Sequence, residues 1–288
     1  MSIASDNTEY AAKGGRFDLT RFKSDFAHCS GNLEIRLANS DADIEACQRL
    51  RYEVFYEEMA ARPIGDMCAR RLDHDRFDGV ADHLMVIDRS GRDRSGPDRT
   101  HGKVIGTYRL IRRDVAEAQG GFYTAGEYDI APMIARAGPG VNFLELGRSC
   151  VHKDHRNRPT INMLWHGIGH YIAAHNIDVM FGCASFPGTD PGVFAAPLSL
   201  LHHTLQTPPD YYVRALDDQF VDMNILAKDD IDERVALRLM PPLIRGYMRS
   251  GCVFGDGAVI DRQFSTVDVF VMLLMKNVEE RYFHRFGA

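Results

Sequence analysis

Hydrophobic positions along the chain switch between a period of two and a period near 3.6, and these switches predict the elements. Leu33, Ile35 and Leu37 alternate with polar residues, which predicts a short strand over Leu33–Leu37. Ser40 follows with Asp43 three residues later, a hydroxyl and a carboxylate placed for the free N–H groups of a helix start. Beyond them Ile44, Cys47, Leu50, Val54 and Phe55 recur at steps of three and four, the stripe of an amphipathic helix. Arg51 falls on that stripe, so it either snorkels from the edge or serves a site, because a buried guanidinium is costly to desolvate unless paired. Further strands are expected at 83–88, 103–111, 142–151, 178–186 and Thr266–Leu274. Helices are expected at 160–175, 192–204 and 232–249, the last containing Pro241 and Pro242. That order predicts one α/β (α+β) domain built around a single sheet.

Composition narrows the class. The 288 residues are 45% hydrophobic and 26% charged, enough for a sizeable core in one large domain or two small ones. Residues 1–31 are polar and read as a flexible tail, leaving 32–288 as the domain; 89–100 (RSGRDRSGPDRT) reads as a solvated loop. A net charge of −6 argues against a nucleic-acid partner. The six cysteines form no C-x-x-C pair, which suits free thiols in a reducing compartment rather than a disulfide framework or a zinc site. The longest apolar run, 267–275, is interrupted by Asp268, and no signal-peptide pattern opens the chain, so a cytoplasmic protein is expected.

Several motifs tempt and fail. His166 and His170 have the spacing of a zinc-protease helix, but Gly167 stands where that chemistry needs a glutamate. His152 and His155 lack an obvious acidic or thiolate partner, so no metal is expected there either. His83 and Asp88 spell H-x4-D, yet strand alternation points them to opposite faces. Neither a G-x-S-x-G elbow nor a P-loop occurs.

Four segments in order carry more: 50–58 (LRYEVFYEE), 73–78 (DHDRFD), 104–110 (VIGTYRL) and 145–151 (ELGRSCV), each with charged residues in an apolar setting. This series resembles the acyl-homoserine-lactone synthases and, more closely, the N-acyltransferases that make lyso-ornithine lipid. Residues 182–186 and 239–247 extend the resemblance. It implies the GNAT (N-acetyltransferase-like) fold, a mixed and mostly antiparallel sheet flanked by helices. It also implies transfer of a 3-hydroxyacyl group from acyl carrier protein to the α-amine of L-ornithine. Arg51, Phe55, Asp75, Asp78, Arg109, Glu145 and Arg148 match the lactone-synthase pattern. Ala60 and Ala61 stand where those enzymes carry a tryptophan, which favours an acceptor other than S-adenosylmethionine.

Acetyl-CoA-dependent members of the fold hold the CoA pyrophosphate on a glycine-rich turn. Here that turn, 156–160 (RNRPT), has no glycine and cannot offer the same nest of amides. The basic run 152–158 suits an acidic carrier instead, so Lys153, Arg156 and Arg158 are expected at the acyl carrier and its phosphopantetheine arm. That arm's thioester enters as a co-substrate, with no bound cofactor expected.

The resemblance implies direct attack of an amine on a thioester. Glu145, on an otherwise apolar strand, is the expected base with a raised pKa; the alternative is an ion pair with Arg148 or Arg109. Gly147 is expected to allow a bulge that aims a backbone N–H at the oxyanion. Arg51 or Arg109 suits the ornithine carboxylate, and Asp75, Asp78 or Asp82 suits the δ-ammonium. Covalent catalysis by Cys150 or Cys183 is the rival mechanism, and both are expected to be buried structural thiols. The rival functions are a lactone synthase and a non-catalytic carrier- or lipid-binding module. A lipid product implies work at the inner face of the cytoplasmic membrane, where 237–248 with its arginines suits anionic headgroups; a kinked core helix explains the same residues. A two-acyl product would need a separate O-acyltransferase.

Overall fold

The computed structural model describes residues 27–90 and 102–278. Strand β1 (Ala27–Ser30) turns through Gly31, whose φ is +61°, onto β2 (Leu33–Leu37). Residues 27–30 are therefore strand rather than tail, while the rest of the expected tail, 1–26, and most of the charged loop, 91–100, lie outside the described residues. Helix α1 (Asp41–Tyr52) starts as the sequence predicts: the Ser40 hydroxyl accepts from the Asp43 N–H. It ends in a π-helical turn, Glu53–Glu58, that carries Phe55.

The chain continues through α2 (Met67–Arg70), β3 (Asp82–Asp88), β4 (Lys103–Arg112), α3 (Arg113–Ala118), β5 (Tyr128–Asp129), α4 (Ala131–Ala137) and β6 (Phe143–Val151). Then come α5 (Arg158–Ala174), β7 (Val179–Pro187), α6 (Ala195–Thr204), β8 (Arg214–Ala215), α7 (Glu233–Leu239), α8 (Pro242–Arg249), β9 (Val253–Asp261) and β10 (Thr266–Leu274). The expected helix at 232–249 is thus two helices. Pro241 is extended (φ −54°, ψ 143°), and neither proline can donate the N–H that a continuous helix needs. Strand β9 escapes the sequence pattern because Gly255, Asp256 and Gly257 break its alternation. Gly257 sits at φ +81°, against the Phe220 ring.

The strands form one sheet in the order β1-β2-β3-β4-β6-β7-β10-β9-β8-β5, parallel only at β6–β7 and β8–β9. Strand β10 is buried along its whole length because both faces are covered. Val267, Val269, Val271 and Leu273 enter one hydrophobic cluster, while Phe270, Met272 and Leu274 enter another. The only polar residues on it, Thr266 and Asp268, continue the second face.

The sheet opens at its centre. β6 and β7 are nine residues each but pair only at Phe143–Val179, Leu144–Met180 and Glu145–Phe181, then part. Gly182 stands where they part: a Cβ there would lie 2.3 Å from the Leu146 carbonyl oxygen. On its other edge β6 bulges against β4, between the pairs Thr107–Cys150 and Arg109–Gly147.

Candidate active site

Three arginines and three aspartates meet beside this opening. Arg51, at the end of α1, donates through both terminal nitrogens to the two oxygens of Asp78 at 2.8 Å each, and its Nε lies 2.7 Å from Asp73. Arg109, on β4, donates to Asp75 at 2.6 Å and reaches Asp78 at 3.5 Å. Arg148, on β6, reaches Asp73 at 3.2 Å and Asp75 at 3.1 Å. The acids all come from segment 73–78, so the charges alternate and balance, clamping that segment to α1, β4 and β6. Arg51 is paired, not snorkelling. Burial alone would raise the Asp78 pKa, but the hydrogen bonds from Arg51 and the charges of Arg51 and Arg109 outweigh it, holding the carboxyl below its usual range.

The residues expected to clamp ornithine therefore answer one another. Asp75 and Asp78 are committed to arginines, and Asp82 accepts from Arg112 at 2.6 Å and from the Tyr171 hydroxyl at 2.5 Å. Asp73, fully buried, completes the network, although its sequence gives it no distinguishing mark. His83 bonds the Asp78 carbonyl through Nε2 at 2.9 Å, which turns the H-x4-D histidine inward to the same segment.

Glu145 is 2% exposed. Its carboxylate accepts from the Tyr123 N–H at 2.8 Å, the Thr124 N–H at 2.7 Å and the Thr124 hydroxyl at 2.5 Å. Burial raises its pKa, partly offset by these bonds and by Arg109. It caps the 3-10 turn Tyr123–Gly126 in place of the ion pair with Arg148 or Arg109, both of which are engaged by aspartates. The bulge lies where expected, but Arg148, not Gly147, takes the left-handed conformation, at φ +50°. The extra residue of β6 opposite β4 falls at 148–149, and a network of ion pairs holds that side chain in place. The Arg148 guanidinium lies 4.7 Å over the Tyr123 ring and 4.8 Å over Phe264, and Phe55 meets Phe264 edge-on at 5.5 Å.

On the far side of the turn, Cys183 donates to Glu127 at 3.2 Å. An oxygen from each of Glu127, Asp261 and Asp268 lies within 4.8 Å of the others. A cavity of about 340 Å³ opens here, bounded by Tyr123, Glu127, Asp261 and Arg262 among others. Burial, then the Asp268 charge, pushes the Glu127 carboxyl well above the usual range, and burial raises Asp268 too, partly offset by Ser185 and Thr266. Burial also raises the thiols of Cys150 and Cys183, keeping both protonated and poorly nucleophilic. This acidic triad is what sequence reasoning missed; its one signal was Asp268 breaking an apolar run.

The basic run divides. Arg156 grips Glu58 of the π-helical turn through both terminal nitrogens, at 2.5 and 2.7 Å, and donates to the Val151 carbonyl. Lys153 and Arg158 are exposed, and α5 begins at Arg158, two residues before the expected start, capped by Asn157. His166 and His170 bond each other, Nε2 to Nε2, at 2.9 Å. Among the described residues, no helix is long and apolar enough to cross a membrane.

A model of the acetyltransferase (GNAT) domain matches residues 50–166, the stretch from the end of α1 into α5 that holds the charge network and β6, one side of the opening. The chain is 46% identical over 258 residues to the L-ornithine N(alpha)-acyltransferase of Brucella abortus (strain 2308), covering 90% of each chain. Against the protein of that name from Agrobacterium fabrum it is 44% identical over 258 residues, 90% of this chain and 86% of the relative. Against that from Rhodobacter capsulatus it is 43% identical over 252 residues, 87% of this chain and 93% of the relative. Likeness at this level across nearly the whole length of each protein means that the chain belongs to the L-ornithine Nα-acyltransferase family, enzymes built on the GNAT fold.

Proposed function

We infer that the protein moves an acyl group from the thioester of an acyl carrier protein to the α-amine of L-ornithine, giving lyso-ornithine lipid. The observation that carries this reading is the near-full-length likeness to the ornithine acyltransferases. The opening between β6 and β7 supports it, because a thioester lying there would meet strand edges no longer paired with each other. The α-ammonium gives a proton to solvent water, its nitrogen bonds to the thioester carbon, the C–S bond breaks, and a second nitrogen proton passes to the sulfur to release the carrier thiol. Backbone N–H groups of β6 beyond Glu145 are the donors we assign to the oxyanion. Glu145 is assigned a positioning role: it holds the turn from which Tyr123 and Glu127 border the cavity.

A carrier protein is the donor favoured by the glycine-free turn at 156–160 and by exposed Lys153 and Arg158. The exposed Leu239 and Leu243 near Arg238 favour release of the product at an anionic membrane surface, where a separate O-acyltransferase would add any second chain.

The test is to combine the purified protein with 3-hydroxyacyl carrier protein and L-ornithine and to look for the N-acylated product by mass. No product, or release of methylthioadenosine when S-adenosylmethionine is offered instead, overturns this function.

A further inference from the structure

We propose that Glu127, Asp261 and Asp268 form the seat of the acceptor's side-chain ammonium, the group that must stay unacylated. This rests on ornithine being the acceptor, and it assigns the recognition of its distal charge to residues far from one another in sequence.

The geometry suits one nitrogen. If three oxygens lie within 4.8 Å of one another, some point lies no more than about 2.8 Å from all three, the length of a charge-assisted N–H···O bond. An alkylammonium carries three donors and no acceptor, matching three carboxylates one for one. Oxygens remain available for it. Asp268, 6% exposed, has an Oδ1 with no well-formed hydrogen bond, although the Ser185 and Thr266 hydroxyls face its carboxyl and partly offset its burial. Thr266, 4% exposed, lies two residues along the same face of β10 and directly across from Asp261, and its hydroxyl also makes none. Asp261 spends Oδ1 on the N–H groups of Gln263 and Phe264, and Glu127 spends Oε2 on Cys183. A buried, unanswered carboxylate oxygen is expensive to keep, and a cation that passes Glu127 and Asp261, which border the cavity, to reach Asp268 answers it.

The arrangement also accounts for which amine reacts. Three carboxylates around an ammonium hold its proton, and a protonated amine cannot attack a thioester. Ornithine has two amines separated by roughly 6 Å of extended chain. Seating the distal one among the acids leaves the α-amine as the nucleophile. Arg262, on the same cavity wall, offers a guanidinium to the acceptor carboxylate.

The experiment compares L-ornithine with L-norvaline, the same chain without the distal amine, using full-length protein and 3-hydroxyacyl carrier protein. The wild type should prefer ornithine in kcat/KM by about a hundredfold or more, since a site built to pair a polar group rejects the analogue lacking it. Asp268→Asn and Glu127→Gln should each cut that preference roughly tenfold, mainly through the KM for ornithine, and let δ-acylated product appear in fragmentation spectra. Should Asp268→Asn fail to fold, Glu127→Gln decides. A native-like variant that keeps both the preference and pure α-acylation overturns the ammonium seat alone. A wild type that acylates neither amine overturns the function together with the seat. Activity abolished by EDTA and restored by Mg²⁺ or Ca²⁺, and lost in the same variants, makes the triad a divalent-cation site and also overturns the proposal.

Discussion

Arg51 and Asp78 face each other fork to fork, with both guanidinium nitrogens 2.8 Å from carboxylate oxygens and neither side chain more than 4% exposed. Removing one partner strands the other charge in the interior. Asp78→Asn and Arg51→Ala should each lower unfolding free energy by about 3–5 kcal/mol, measured by urea denaturation. Arg51→Lys should not rescue it, because an ammonium cannot make the paired contact with Asp78 while also reaching Asp73.

Stability should peak on the acid side of neutrality. Asp78 is held below its unfolded pKa, so its contribution is complete above about pH 4 and is lost as pH falls further. Glu127 behaves oppositely: its folded pKa is raised, so its contribution is complete below about pH 4 and is lost as pH climbs toward 7. Melting temperature followed from pH 3 to 8 should therefore rise and then decline. Glu127→Gln should flatten the decline and leave the acid limb in place, whereas Asp78→Asn should do the reverse.

Glu145→Gln tests positioning against proton transfer. The amide keeps one acceptor oxygen but turns an NH₂ toward the N–H groups of Tyr123 and Thr124, so the turn loosens and kcat falls by about tenfold or more. The acidic limb of the pH–rate profile should persist in the variant, because the group that titrates is elsewhere. Loss of that limb would make Glu145 the base.

Charge reversal at the start of α5 should act on the donor alone. Lys153→Glu with Arg158→Glu should raise the KM for acyl carrier protein about tenfold at low salt and leave the KM for ornithine unchanged. Equal sensitivity of both KM values would remove the carrier from this face.

What was legible in the sequence follows from how local the signal is. The Ser40 cap, the Arg51 stripe and the run to Glu145 are written in steps of two to four residues, and each appears where expected. The proline pair at 241–242 was legible as well, and its chemistry favours a break over a kink. The fate of Arg51 was not, because its partners lie 22 and 27 residues away in an irregular segment whose register no periodicity sets. The acidic triad draws on the turn after α3 and on β9 and β10, 141 residues apart at the extremes, and only the folded sheet brings them together.

The parting of β6 and β7 past Gly182 leaves two strand edges facing one another across a gap that neither fills. Such a seam accepts a third extended chain of amides, laid in as an added strand. If the acyl donor lies in this seam, as proposed above, a short peptidomimetic with alternating donors and acceptors should compete with it and leave the KM for the amino acid unchanged, giving a starting point for inhibitors that jam the sheet itself.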